Sequence, residues 1–169
     1  MLTFHTKVSA AADLYGSLVL PYDQREKCRL RAPLESGEEV AIFTVRGTVL
    51  RDGDLLTGEH GLVVRVVAAL EPTYAVYCGS EHALVRCAYH LGNRHTQVAI
   101  GAGVLRIRVD AVLKEMVEGL GARVVAERAV FEPEAGAYAG GGGHGHAHSG
   151  DLLAPVPLRQ RIHRPGDPA

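Results

Sequence analysis

The chain has 169 residues, 47% of them hydrophobic but only 5% aromatic and none Trp, so any core must be aliphatic, built from Val, Leu, Ile and Ala. Its 18 basic and 19 acidic residues leave a formal net charge of −1, which argues against a nucleic-acid partner or an acidic membrane surface. Three cysteines, Cys28, Cys78 and Cys87, are odd in number and lack CxxC spacing, so they offer neither a disulfide framework nor a structural zinc site.

The length suits one ordinary domain or two small ones. Two half-size domains would each bury a modest share of surface, and dimerisation would add to it. Residues 1–16 show no basic start followed by a long apolar run, so no signal peptide is expected. The longest apolar run, Leu62–Leu70, contains Arg65 and is far too short to span a bilayer. A soluble cytoplasmic protein is expected. Its basic residues are almost all Arg, since Lys7, Lys27 and Lys114 are the only lysines. Arg favours fixed bidentate pairs, which points to structural roles.

Residues 1–72 read as a small all-β domain. Val40–Val45 is β-branched and short, with Gly37 just before it. Thr48-Val49-Leu50 and Leu55-Leu56 flank Asp52-Gly53, which predicts a hairpin, because Asp-Gly tolerates the positive φ of a tight turn. Leu62–Val67 predicts a further strand. Pro72 marks the expected boundary.

Residues 73–133 change pattern. Tyr74–Cys78 predicts a strand. Ser80 is a candidate N-cap for a helix whose Ala83, Leu84, Cys87, Ala88 and Leu91 share one face, with Gly92 to end it. Gln97–Ile100 and Val104–Ile107 predict two short strands. Asp110 should cap a second helix with Val112, Leu113, Met116, Val117 and Leu120 facing inward, and 122–131 supplies a last strand. The order β-α-β-β-α-β is the ferredoxin-like arrangement, so the predicted fold class is α+β.

Residues 134–169 read as a flexible tail rich in Gly, His and Pro. Gly140–Gly143 cannot hold a fixed backbone, and Pro155, Pro157, Pro165 and Pro168 predict a disordered end. His144, His146 and His148 alternate with small residues. Closely spaced neutral imidazoles are good ligands for Ni, Cu and Zn. A purification-tag scar would be contiguous and terminal, whereas this run is interrupted and internal.

His90 and His95 lie near the end of the first predicted helix. Their spacing of five would not place them on one helical face. For His90 a helix C-terminal position favoured by the macrodipole is sufficient explanation. For His95 composition gives no preference. His5, His60, His82 and His163 are isolated and read as surface or packing residues. Cys78 and Cys87 read as small buried hydrophobes. The glycine stretch lacks the GxxxxGK[ST] form, and there is no GxSxG elbow or HExxH pair. The acidic residues near turns suit turn formation, so no catalytic group emerges and the chain does not read as an enzyme.

Four stretches resemble the signatures of the UreE family of urease accessory proteins. They are Leu20-Pro21-Tyr22-Asp23-Gln24-Arg25 with Lys27 and Arg29-Leu30-Arg31, then Arg46–Leu55, then Tyr89–His95, then Phe131–Tyr138 followed by the His-bearing tail. The resemblance runs from about residue 18 to 148. It implies an N-terminal β domain like the peptide-binding domains of some chaperones and a ferredoxin-like metal-binding domain. It also implies a two-fold homodimer with His95 close to the axis. Each subunit then offers the same imidazole, and His144, His146 and His148 would complete the ligand set. Where some members carry an extra histidine pair before the second helix, this chain has Arg108 and Asp110, so no peripheral second site of that kind is expected.

On this reading the chain is a nickel metallochaperone with Ni(II) as transported cargo. It would pass the ion by ligand exchange to a urease-system GTPase and, through the accessory complex, to apo-urease. Zn(II) or Cu(II) could occupy the same ligands. Metal binding should weaken as pH falls through the range near ~6.5 typical of histidine. The alternatives are a peptide- or protein-binding adaptor of the accessory complex, or a general Zn/Cu/Ni buffer.

Overall fold

The computed structural model describes residues 1–135, which build two sheets. The first contains β1 (Thr3–Val8), β2 (Gly16–Leu20), β3 (Arg29–Pro33), β4 (Glu39–Phe43), β5 (Leu55–Gly58) and β6 (Val63–Ala68), in spatial order β2-β6-β5-β1-β4-β3. β1 lies parallel to β4 and β2 parallel to β6, while the remaining pairs are antiparallel. Strand alternation supplies the core. In β6, Val64, Val66 and Ala68 are buried while Arg65 is exposed. Val64 and Val66 join Phe4, Leu18, Leu20, Ile42, Leu50 and Leu56 in one apolar cluster, each large side chain contributing roughly 1.5–3 kcal/mol by leaving water.

Three strands of this sheet, β1 to β3, carry little of the pattern that marks a strand. β1 fully buries Phe4 alone, and β3 is an edge strand with Arg29 and Arg31 exposed. A one-turn helix, α1 (Tyr22–Arg25), also interrupts the otherwise β domain after Pro21. The Asp52-Gly53 turn exists, with Gly53 at φ 81°, but the predicted hairpin does not. The Leu50 N–H donates to the Arg25 carbonyl at 2.9 Å, so 48–50 turns toward α1. The turn itself docks on β6: Gly53 N donates to the Val66 carbonyl at 2.9 Å, and Ala68 N to Asp52 Oδ1 at 2.8 Å. β5 then pairs with β1 and β6. Gly58 is required where β5 crosses β1, because a Cβ there would lie 1.9 Å from the Thr3 carbonyl oxygen.

The second sheet contains β7 (Leu70–Tyr77), β8 (Ala99–Gly101), β9 (Val104–Arg108) and β10 (Arg123–Val130), ordered β10-β7-β9-β8 and antiparallel throughout. With α2 (Glu81–Gly92) and α3 (Ala111–Gly119) it forms the ferredoxin-like β-α-β-β-α-β unit. Both predicted caps are present. The Ser80 hydroxyl accepts from Ala83 N at 3.2 Å and the Asp110 carboxylate from Leu113 N at 2.9 Å. Cys87, Leu91, Val117, Val76, Leu105 and Ile107 meet in the core between helices and sheet. Val112, expected to face inward, is 65% exposed; Val117 takes the buried position on α3. Pro72 stands inside β7. The pairing of β9 with β7 begins at Thr73, so a residue with no N–H to give lies beyond the end of β9. Among the described residues, no helix is long and apolar enough to cross a membrane.

Candidate metal centre

The chain leaves α2 through a tight turn. Asn93 N donates to the Tyr89 carbonyl at 3.0 Å, then His95 N to Gly92 O at 2.9 Å and Thr96 N to Leu91 O at 3.3 Å. This crossed pair of bonds is the Schellman ending of a helix, and it requires the residue at His95 to be left-handed. His95 has φ 53°. Glycine usually fills this position, and a side chain there costs roughly 1–2 kcal/mol. The strained backbone holds an exposed imidazole at the mouth of a groove of about 380 Å³.

Ala88 and Gly92 of α2 line this groove, with Val98 and Ile100 on the chain leading into and through β8. Thr96 and Gln97 are uncharged, and Glu134 supplies the remaining wall. Glu134 arrives there because the segment 131–134 is tied down at every residue. The Phe131 carbonyl accepts from Arg25 Nη2 at 2.6 Å, and its ring is fully buried, meeting Tyr22 edge to face at 5.5 Å. The Glu132 carboxylate accepts from Arg25, from Arg51 Nη1 at 2.8 Å and from Asp52 N at 3.2 Å. The Pro133 carbonyl accepts from Arg51 Nη1 at 3.0 Å, and Glu134 N donates to the Val98 carbonyl at 2.8 Å. This strap crosses from the first sheet's domain to the groove, so the root of the tail stands beside His95.

The stretches that resemble family signatures therefore converge. Arg25 comes from the first, Arg51 and Asp52 from the second, His95 from the third and Phe131–Glu134 from the fourth. Arg108 stacks 5.4 Å from the Tyr22 ring and 5.7 Å from the Phe131 ring. Burial raises the Tyr22 hydroxyl above its ordinary value, aided by Glu26 and opposed by Arg51, Arg108 and Arg25.

Of the four expected metal ligands, His95 lies in the groove, while His144, His146 and His148 fall outside the described residues. Among the described residues, no three His, Cys, Asp or Glu side chains gather in a way that could hold a metal. His90 is half-buried in the last turn of α2 with its ring 5.4 Å from that of Tyr89, and it does not line the groove. Cys87 is fully buried in the core and Cys78 packs against it. Burial, reinforced by Cys78, pushes the Cys87 thiol up to about 11. Reading the sequence missed Glu134 as a groove residue, because no local spacing signals a position set by partners more than 30 residues away.

Comparison with known proteins agrees with this convergence. The model described as UreE urease accessory protein, N-terminal domain, matches residues 5–69, and the corresponding C-terminal domain model matches residues 71–154. The chain is 65% identical to the urease accessory protein UreE of Janthinobacterium sp. (strain Marseille) over 169 residues, covering 100% of this chain and 99% of that one. It is 58% identical to the protein of the same name from Nitrosospira multiformis over 172 residues, covering 99% and 98%. Against that of Cupriavidus necator it is 56% identical over 124 residues, covering 73% and 65%. Both domains are matched, and the first two relatives are matched from end to end: the chain belongs to the UreE family of urease accessory proteins.

Proposed function

We propose that the protein acts in urease maturation as a cytoplasmic carrier that binds Ni(II) and delivers it by ligand exchange. The observation that carries this reading is the strap that plants the root of the histidine-bearing tail beside a strained, exposed His95. A structural zinc site is closed and rigid, whereas a carrier needs ligands it can give up.

One imidazole cannot hold an ion, but a two-fold pair of chains offers the same residue twice. The surface around His95 suits such a pairing. Val85 and Tyr89 on α2 are 67% and 65% exposed, and Ile100 beyond the groove is 60% exposed. His144, His146 and His148 then supply further ligands. His144 lies nine positions beyond Ala135, an extended reach of up to about 30 Å. Urease-system proteins, a GTPase and apo-urease in its accessory complex, are the recipients in this reading. Zn(II) and Cu(II) compete for the same ligands, since imidazole affinity rises from Ni to Cu and falls again at Zn.

A second reading, a protein-binding adaptor, draws on a cleft of about 250 Å³ in the first domain, lined by His5, Lys7, Thr44, Val45 and Thr48. Val45 there is 79% exposed. The two readings separate in a urease activation assay at limiting nickel. The carrier predicts that His95→Ala abolishes nickel-dependent activation while partner capture persists. Full activation by His95→Ala, with loss on Val45→Asp, would favour the adaptor.

A further inference from the structure

We infer that Glu134 is itself a metal ligand of the His95 groove. This rests on the carrier reading above. Among the described residues lining the groove, Glu134 is the one that carries a negative charge, the others being apolar or uncharged apart from His95. Its backbone is fixed by the bond to the Val98 carbonyl, and the residue before it, Pro133, is buried. Glu134 is therefore held at the groove by its own backbone bond and by the buried Pro133 before it. It makes no hydrogen bond or ion pair with any described side chain, unlike Glu132 two residues earlier.

Charge supplies the second argument. Ni(II) held by neutral imidazoles keeps its full double charge in a groove whose other lining residues, Glu134 apart, carry no charge. An uncompensated ion in such surroundings is costly, and a fixed carboxylate offsets that cost. Two chains related by a two-fold axis would bring two carboxylates as well as two imidazoles, a neutral set for a divalent ion. Carboxylate oxygen and imidazole nitrogen together also suit Ni(II) better than an all-thiolate site would. His95 follows α2, whereas Glu134 follows β10, so the two ligands reach the groove from different parts of the chain. An ion can therefore leave when the carboxylate lets go, without unfolding α2.

The test is a calorimetric titration of NiCl2 into the 169-residue protein and its Glu134→Gln and His95→Ala variants, with thermal melts of each. Glutamine keeps the size and the backbone bond, so the fold and melting temperature should stay as they are. Nickel affinity should fall at least tenfold, in the range that lost metal-site partners produce. Wild-type affinity in Glu134→Gln, with binding lost in His95→Ala, would overturn the carboxylate ligand and leave the carrier reading standing. Wild-type affinity in both variants would overturn the groove as a metal site altogether.

Discussion

The fully buried guanidinium of Arg25 is held by the carboxylate of Glu132, 107 residues later in the chain, and Arg51 closes on the same carboxylate from the other side. Arg25 also donates to the Leu50 carbonyl at 3.1 Å and lies 5.3 Å over the Tyr22 ring. This clamp joins the two sheets' domains and aims the strap at His95. A partner removed from a buried charge leaves that charge unpaired. Glu132→Ala should therefore destabilise the chain by about 3 kcal/mol, read as a lower urea midpoint. Because the strap also positions the tail root, the same variant should weaken nickel binding. A midpoint within error of wild type would show that the clamp adds nothing to the fold.

The left-handed backbone at His95 gives a prediction of opposite sign. Glycine adopts φ 53° without the side-chain penalty, although it loses more entropy on folding. His95→Gly should melt at the wild-type temperature or slightly above, a net gain of up to about 1 kcal/mol, while losing nickel binding. His95→Ala keeps the strain and should gain nothing. A clear loss of stability in His95→Gly would mean that the imidazole holds the turn together.

Cys87 predicts a high-pH transition. Its folded thiol titrates at about 11, above an ordinary cysteine near ~8.5. The neutral form is favoured in the fold, so its contribution is complete below the ordinary value and is lost as pH rises through the folded one. The stability difference between wild type and Cys87→Ala should therefore shrink between about pH 9 and 11. Parallel curves across that window, from urea melts at each pH, would contradict this assignment.

The exposed side chains of α2 predict the oligomeric state. On the two-fold pairing proposed above, Tyr89→Glu places a charge among the exposed apolar side chains of α2 and should lower the mass seen in sedimentation equilibrium from two chains toward one. Charges at the core of an interface are strongly disfavoured. An unchanged dimer would move the contact to another face.

Local signals made the second domain readable. Ser80 and Asp110 cap helices that start where the sequence indicates, and the order of elements alone gives the ferredoxin-like topology. The first domain was harder, because β1 and β3 are rich in polar residues, and β1 is held by β4 and β5 far along the chain. Asp52-Gly53 signals its turn locally, but the turn's hydrogen bonds go to β6 rather than to a hairpin partner, which turn chemistry cannot foresee. At the site, the resemblance brought out His95, whereas Glu134 needed the fold. Its place depends on Val98 and on a clamp built from Arg25 and Arg51, none of which is close in sequence.

The role of His95 as the shared anchor for nickel is tested by the stoichiometry and affinity of Ni(II) for tag-free protein, titrated by calorimetry alongside His95→Ala and a chain ending at Gly143. A carrier site shared by two chains should bind one tight ion per two chains, lost in His95→Ala and weakened in the shortened chain. Tight binding that survives His95→Ala would contradict it and assign the metal to the tail alone.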